Sequence, residues 1–179
     1  SRLPKPCATV STAPTLVHGV IGIVLLRKYP TKTNIKRQLD QAKNEFATLK
    51  DNPLFIASLM LYWGEGNKGP KGSQVKLANT DPAMIRIFYT FLKDVIAVPK
   101  EKICIWLLLY PDLLDSVQKN FWSKATGVPL SQFKNSIYIQ GRHPTKRLSY
   151  GVCNIYVSSR EFKEKIMTWI DLCQKMLIR

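Results

Sequence analysis

Residues 53–64, which read PLFIASLMLYWG, constrain the fold of this chain more than any other segment. Asn52 can cap a helix and Pro53 can occupy its first position, so the segment predicts a helix that ends near Gly64. Apolar side chains fall on almost every side of that helix: Leu54, Phe55, Ile56, Leu59, Met60, Leu61, Tyr62 and Trp63. A helix without a polar face must be buried, either at the centre of the domain or against another subunit.

Helix and strand signals lie on both sides of this segment. Residues 32–52 predict a basic amphipathic helix with apolar residues Ile35, Leu39, Ala42, Phe46 and Leu49 at helical spacing. Residues 74–79 predict a strand, and Asp81 and Pro82 start a third helix. Its predicted stripe is Met84, Ile87, Phe88, Phe91, Leu92 and Val95. Residues 102–109 predict a buried strand, followed by a helix over residues 112–125.

The last third of the chain completes an α+β pattern. Residues 131–140 and 148–157 predict two strands joined by the basic loop GRHPTKR. Ser158 and Glu161 match a capping box that opens a final helix. The order of elements predicts helices covering one face of a mainly antiparallel sheet, with nothing on its other face. Trp63, Trp122 and Trp169 are expected in the core.

The remaining organisation follows from composition. Residues 1–31 are expected to form a leader whose structure the sequence does not define, and its apolar run, residues 16–26, is too short to span a bilayer. The cysteines are widely spaced and include no C-x-x-C pair: Cys7, Cys104, Cys153 and Cys173. This spacing predicts free thiols in a reducing cytoplasm.

Charge indicates the kind of partner. Lys and Arg outnumber Asp and Glu by 27 to 12, which gives a formal net charge of +15 in 179 residues. Such a field attracts polyanions, of which nucleic acid is the commonest. Residues 116–159 contain no Asp or Glu, and their basic residues are Lys119, Lys124, Lys134, Arg142, His143, Lys146 and Arg147. Because aromatic and apolar residues interrupt them, they predict a folded basic surface and not a disordered tail.

One acid, Glu65, lies between two glycines where the apolar helix should end. A helix C-terminus carries partial negative charge, so an anion there is disfavoured by about 0.3–1 kcal/mol. Two interpretations stay open. In the first, Gly64 and Gly66 stop the helix and Lys68 partly neutralises the acid. In the second, the Glu65 carboxylate and the helix-end carbonyls hold Mg²⁺ for phosphodiester hydrolysis.

Three segments in order, LYWGEGNK, ANTDPAMI and FWSKATG, resemble the LAGLIDADG homing-endonuclease family, and more closely a bacterial branch with a single motif. The resemblance covers roughly residues 53–178. The second half of the motif falls on Leu61, Tyr62, Gly64, Glu65 and Gly66. The chain departs from the pattern because Met60 replaces a small glycine, Trp63 replaces an acid, and the strand pair after the motif is shortened.

The resemblance implies a saddle of antiparallel strands along duplex DNA, with two motif helices at its centre. Each helix presents one acid to shared metal ions, so Glu65 is the implied catalytic residue and metal ligand, with Mg²⁺ as the metal. A single motif implies a homodimer, and we assign Ala57, Leu61 and Gly64 to its interface. The implied DNA contacts are Lys68, Lys71, Lys134, Arg142, His143, Lys146 and Arg147.

Three functions remain open at this point. The chain is a metal-dependent endonuclease for double-stranded DNA, a non-catalytic DNA-binding regulator on the same scaffold, or a basic module that binds RNA or an acidic protein. Glu65 favours the first function, whereas the loss of the second motif acid and the shortened strand pair favour the second.

Overall fold

The computed structural model describes residues 32–69, 72–139 and 148–178, so the predicted leader of residues 1–31 lies outside the described residues. The described helices are α1 (Lys32–Leu49), α2 (Pro53–Glu65), α3 (Pro82–Thr90), α4 (Asp115–Thr126) and α5 (Arg160–Leu177). The strands are β1 (Gln74–Asn79), β2 (Ile103–Leu109), β3 (Ile137–Tyr138) and β4 (Val152–Ser158). The α+β class predicted from the sequence is confirmed. No described helix is long and apolar enough to cross a membrane.

The four strands form one mixed sheet in the order β1-β4-β2-β3. β4 pairs antiparallel with both β1 and β2, whereas β3 pairs parallel with β2. The parallel pair arises because α4 connects β2 to β3, and a strand–helix–strand connection returns the chain in its original direction. The two strands that flank the basic loop therefore do not pair with each other, since β2 lies between them.

The two faces of the sheet differ in burial because side chains alternate along each strand. One set is buried under the helices: Val75, Leu77, Ile103, Ile105, Leu107, Leu109, Cys153, Ile155 and Val157. The opposite set forms what we call the open face: Gln74, Lys76, Ala78, Cys104, Trp106, Leu108, Val152, Asn154, Tyr156 and Ser158. Most open-face residues are half-buried or exposed. Among the described elements, the helices thus cover one face of the sheet, as predicted.

Phe55 of α2 is the point where the helical layer meets. Its ring centroid lies 6.0 Å from that of Phe46 in α1, 6.1 Å from that of Phe91 and 5.2 Å from that of Trp169 in α5. Trp169 also donates a hydrogen bond from Nε1 to the Ala42 carbonyl at 2.9 Å, which ties α5 to α1. Trp122 and Trp169 are buried as predicted.

Three predicted core residues lie at the surface instead. Trp63 is 43% exposed because it lies on a flank of α2 that no described element covers. Met84 and Ile87 are exposed, and Ile85 and Tyr89 are buried in their place. The sequence of α3 is apolar on both sides, so its pattern alone does not distinguish the inward side.

Local capping follows the sequence at most helix ends. Asn52 Oδ1 accepts from the backbone N–H groups of Leu54 and Phe55 at 2.9 and 3.2 Å. Gly127 ends α4 with a φ of 76°, a left-handed conformation that glycine adopts without steric cost. The predicted capping box is wrong by one residue, since Ser159 and not Ser158 accepts from the Phe162 N–H. Ser158 stays in register with Gln74 of β1.

Candidate nucleic-acid interface

Glu65 is the last residue of α2, and it is exposed. Within the described part of the chain its carboxylate has no hydrogen-bond or ion-pair partner. The next two residues run antiparallel to β1, because Gly66 forms a β-bridge with Leu77 and the Asn67 N–H donates to the Lys76 carbonyl at 2.9 Å. Glu65 therefore lies beside the β1 edge of the sheet.

The two glycines that flank Glu65 have different roles in the single chain. A Cβ atom on Gly66 would lie 2.4 Å from the Tyr62 carbonyl oxygen and 2.5 Å from its ring, so a glycine is needed there. Tyr62 is buried, and it donates from its hydroxyl to the Asn67 carbonyl at 2.9 Å. A Cβ on Gly64 would meet no atom within 4 Å. Nothing in the described chain requires a glycine at position 64.

Two lysines hold the turn that follows Glu65. Lys68 donates from Nζ to the Trp63 carbonyl, which places its charge at the negative end of α2. Lys163 of α5 is 5% exposed and donates from Nζ to the Gly69 carbonyl at 2.7 Å. The sequence did not identify Lys163, since its partner lies 94 residues away. The predicted DNA contact Lys71 lies outside the described residues.

The described residues around Glu65 offer a magnesium ion few ligands within one chain. Mg²⁺ takes a near-octahedral set of oxygen ligands, commonly one or two carboxylates with waters and substrate phosphates. The described residues contain no group of three or more His, Cys, Asp or Glu side chains that could hold a metal. The Trp63 carbonyl at the same helix end already accepts from Lys68. With Glu65 as the carboxylate from one chain, the other magnesium ligands would come from water, a phosphate or a second chain.

Ala57, Leu61 and Gly64, the predicted interface residues, lie along one side of α2. This side is opposite the buried Phe55 and Leu59, as their spacing along a helix requires. Ala57 and Gly64 are exposed and Leu61 is half-buried. Leu61 packs against the edge of the core, whereas no described element covers Ala57 and Gly64. We call this side the outer side of α2.

The open face carries basic and aromatic residues without acids. None of the strands contains an Asp or Glu. Lys76 Nζ lies 4.6 Å from the ring centroid of Trp106, and because β4 separates their strands, this contact crosses β4. Asn154, which is opposite Trp106 in the ladder, is only 3% exposed beneath it.

A bulge next to Trp106 creates a groove on this face. Phe133 bridges to Ile105, and Ile137 pairs with Leu108. The four residue steps from 133 to 137 therefore lie opposite only three residue steps of β2, from 105 to 108. The extra residue pushes the segment outward, as in other β-bulges. The resulting groove, of about 480 Å³, is lined by Trp106, Phe133, Lys134, Asn135, Ile137 and Tyr156. This bulge also explains why β3 is shorter than the strand predicted over residues 131–140.

Of the remaining predicted DNA contacts, the structure brings Lys134 to this groove, where it is exposed. Arg142, His143, Lys146 and Arg147 lie outside the described residues. Lys76, Trp106 and Tyr156 were missed by the sequence analysis. The alternation of Ile105, Trp106 and Leu107 was the available signal, but the run ICIWLLL is so apolar that it predicts a strand buried on both faces.

No family model matches the chain, and no curated protein or solved structure matches it either. Function is therefore inferred from the side chains that the fold brings together. Two features stand out: the exposed Glu65 at the β1 edge, and the lysine–aromatic groove on the open face.

The two glycines give opposite predictions for stability. Gly66→Ala should lower the free energy of unfolding by about 1–3 kcal/mol, because the new Cβ overlaps Tyr62. Gly64→Ala should raise it by up to about 1 kcal/mol in dilute protein, since alanine favours the helix and the site is open. Urea unfolding followed by tryptophan fluorescence measures both. Equal losses in the two variants would contradict this assignment.

Proposed function

We propose that the open face of the sheet binds double-stranded DNA. The observation that carries this proposal is a helix-free face with Lys76 and Lys134 and no acid in any described strand, in a chain of net charge +15. Phosphate contacts from lysines supply most of the affinity in such complexes. The major groove of B-DNA is about 12 Å wide and admits a two-stranded β-ribbon, so adjacent strands such as β4 and β2 suit it.

We further propose that two copies act together through the outer side of α2. The small residues Ala57 and Gly64 lie about two helical turns apart on that side, with Leu61 between them, and they would let two helices approach closely at those points. Nothing in the described part of the chain requires a glycine at position 64, which supports a role between chains. A two-fold axis along this side would use the same apolar surface from each copy. This arrangement agrees with the LAGLIDADG-like resemblance.

A second candidate function is cleavage of the bound DNA at Glu65. The observation that favours it is an exposed acid that has no partner among the described residues, at a helix end where its charge is disfavoured. Glu65 adjoins Gly64, so a dimer through the outer side of α2 would bring the two acids to one interface. Bound Mg²⁺ would supply activation of a water molecule. The regulator alternative keeps the same DNA-binding surface and assigns Glu65 no chemistry.

DNA binding should depend steeply on salt and on two lysines of the open face. If about six phosphates are neutralised, the slope of log affinity against log salt should be near −5. The double variant Lys76→Gln with Lys134→Gln should reduce the magnitude of this slope by about 2, and it should bind DNA more weakly at low salt. Fluorescence anisotropy with a duplex of about 20 bp measures both quantities.

The matched control is Lys36→Gln with Arg37→Gln, which removes two exposed charges from α1 instead. That control should keep the wild-type slope. A flat salt response, or equal effects of the two double variants, would refute binding through the open face.

Association through α2 should be lost in Ala57→Arg. The position is exposed, so the single chain should fold normally while the long charged side chain prevents close helix packing. Light scattering should show a dimer for the wild type and a species of 20.4 kDa for the variant. Ala83→Arg, at an exposed site of α3, is the control and should remain dimeric. A wild-type monomer at micromolar concentration with DNA present would disprove the dimer.

Glu65→Gln separates a functional acid from a structural one. Metal-free DNA binding should hold or tighten, because one charge that repels phosphates is removed. Stability should be unchanged or rise by a few tenths of a kcal/mol, and any Mg²⁺-dependent linearisation of plasmid DNA should disappear. Glu161→Gln on α5 is the matched control. A decrease of more than about 1 kcal/mol in the free energy of unfolding, with DNA affinity and Mg²⁺-dependent linearisation unchanged, would show that Glu65 has a structural role.

A further inference from the structure

The groove on the open face has the composition of a site for a planar ring. Trp106, Phe133 and Tyr156 contribute aromatic surface, and Lys134 and Asn135 contribute polar groups at the bulge. The groove is a shallow, open depression of about 480 Å³, so one face of a planar ring can lie against it. Burial and the neighbouring Cys104 raise the pKa of Tyr156, so its hydroxyl stays protonated and can donate a hydrogen bond.

Paired bases in a duplex cannot fill this groove. Their faces are stacked on one another, and a protein reaches only their edges in the grooves of the DNA. An unpaired base can leave the stack and place its face against an aromatic side chain. Such stacking is tolerant of sequence, because every base has a π-face. Lys134 lines the same groove and is exposed, so its ammonium group suits the phosphate that accompanies the base.

We infer that the groove beside Trp106 holds one unpaired nucleobase, and that the preferred DNA is a duplex carrying an extrahelical base. The inference rests on the proposed DNA binding by the open face and specifies which DNA is bound best. Trp106 stacks on the base, Lys134 contacts its phosphate, and Asn135 and Tyr156 contact its edge. Lys76 holds the indole from across β4, so it is a positioning residue for the stack as well as a phosphate contact.

The test compares two duplexes of about 20 bp with the same sequence, one fully paired and one with a single bulged 2-aminopurine. The wild type should bind the bulged duplex about tenfold or more tightly, the ratio expected from one stacked base. The 2-aminopurine fluorescence should be quenched on binding. Trp106→Leu should remove both the preference, measured as the ratio of its own affinities for the two duplexes, and the quenching.

Trp106→Phe keeps an aromatic face and should retain most of the preference for the bulged duplex. If the role of Trp106 were only to cover Asn154, the leucine and phenylalanine variants should behave alike. Trp63→Leu, at an exposed tryptophan outside the open face, is the matched control and should behave as wild type. Circular dichroism establishes that each variant is folded.

Equal affinity for the two duplexes, or a preference that survives in Trp106→Leu, would overturn the unpaired-base site. The proposed DNA binding would still stand if the Lys76 and Lys134 variants lower the salt slope. Failure to bind either duplex would overturn both proposals. Tighter binding of a single-stranded RNA of the same sequence than of either duplex would also overturn the inference, because the stacked base would not belong to a DNA duplex.

Discussion

The burial of one side of α2 is the constraint on which the rest of the structure depends. Phe55 brings α1, α5 and the segment after α3 into contact, and Tyr62 fixes the chain as it leaves the helix. The same helix is apolar on its opposite side, where no described element covers Ala57 and Gly64. One side of this helix serves its own core, and the other is the side of the proposed contact between copies. The positions of the sheet, of the turn after α2 and of Glu65 all depend on this helix.

The sheet separates two kinds of surface by the simple alternation of its strands. One set of side chains supports the helices, and the other is left for a ligand. Glu65 lies beyond β1 at one end of this face and the groove lies near β3 at the other. Three strand spacings of about 4.8 Å separate β1 from β3, or about 14 Å. Under the proposed DNA binding, a duplex laid across the strands would span this width of sheet.

Locally encoded features were predictable from the sequence, and features that join distant segments were not. Asn52, Asp81 and Gly127 end or start helices through contacts within a few residues, and their roles follow from residue type. Ser159 replaced Ser158 as the cap because pairing with β1 extends β4 by one residue. The Lys163–Gly69 bond and the Lys76–Trp106 contact depend on the sheet order, which no local pattern contains. Packing of α3 against the rest of the fold likewise determines which of its two apolar sides faces outward. Of the candidate site, the sequence therefore identified Glu65 and Lys134 but not the aromatic residues around them.

The short pairing of Gly66 and Asn67 with β1 has a consequence for the sheet as a whole. An outermost strand normally presents free N–H and C=O groups, and these recruit strands of other chains into aggregates. Here the turn after α2 occupies the middle of that edge, and at the other edge β3 has only two residues. The sheet is rich in Val, Ile and Leu, and these two features leave few edge positions where a strand of another chain could add. Under the proposed dimer, copies meet through the outer side of α2 instead of by strand addition.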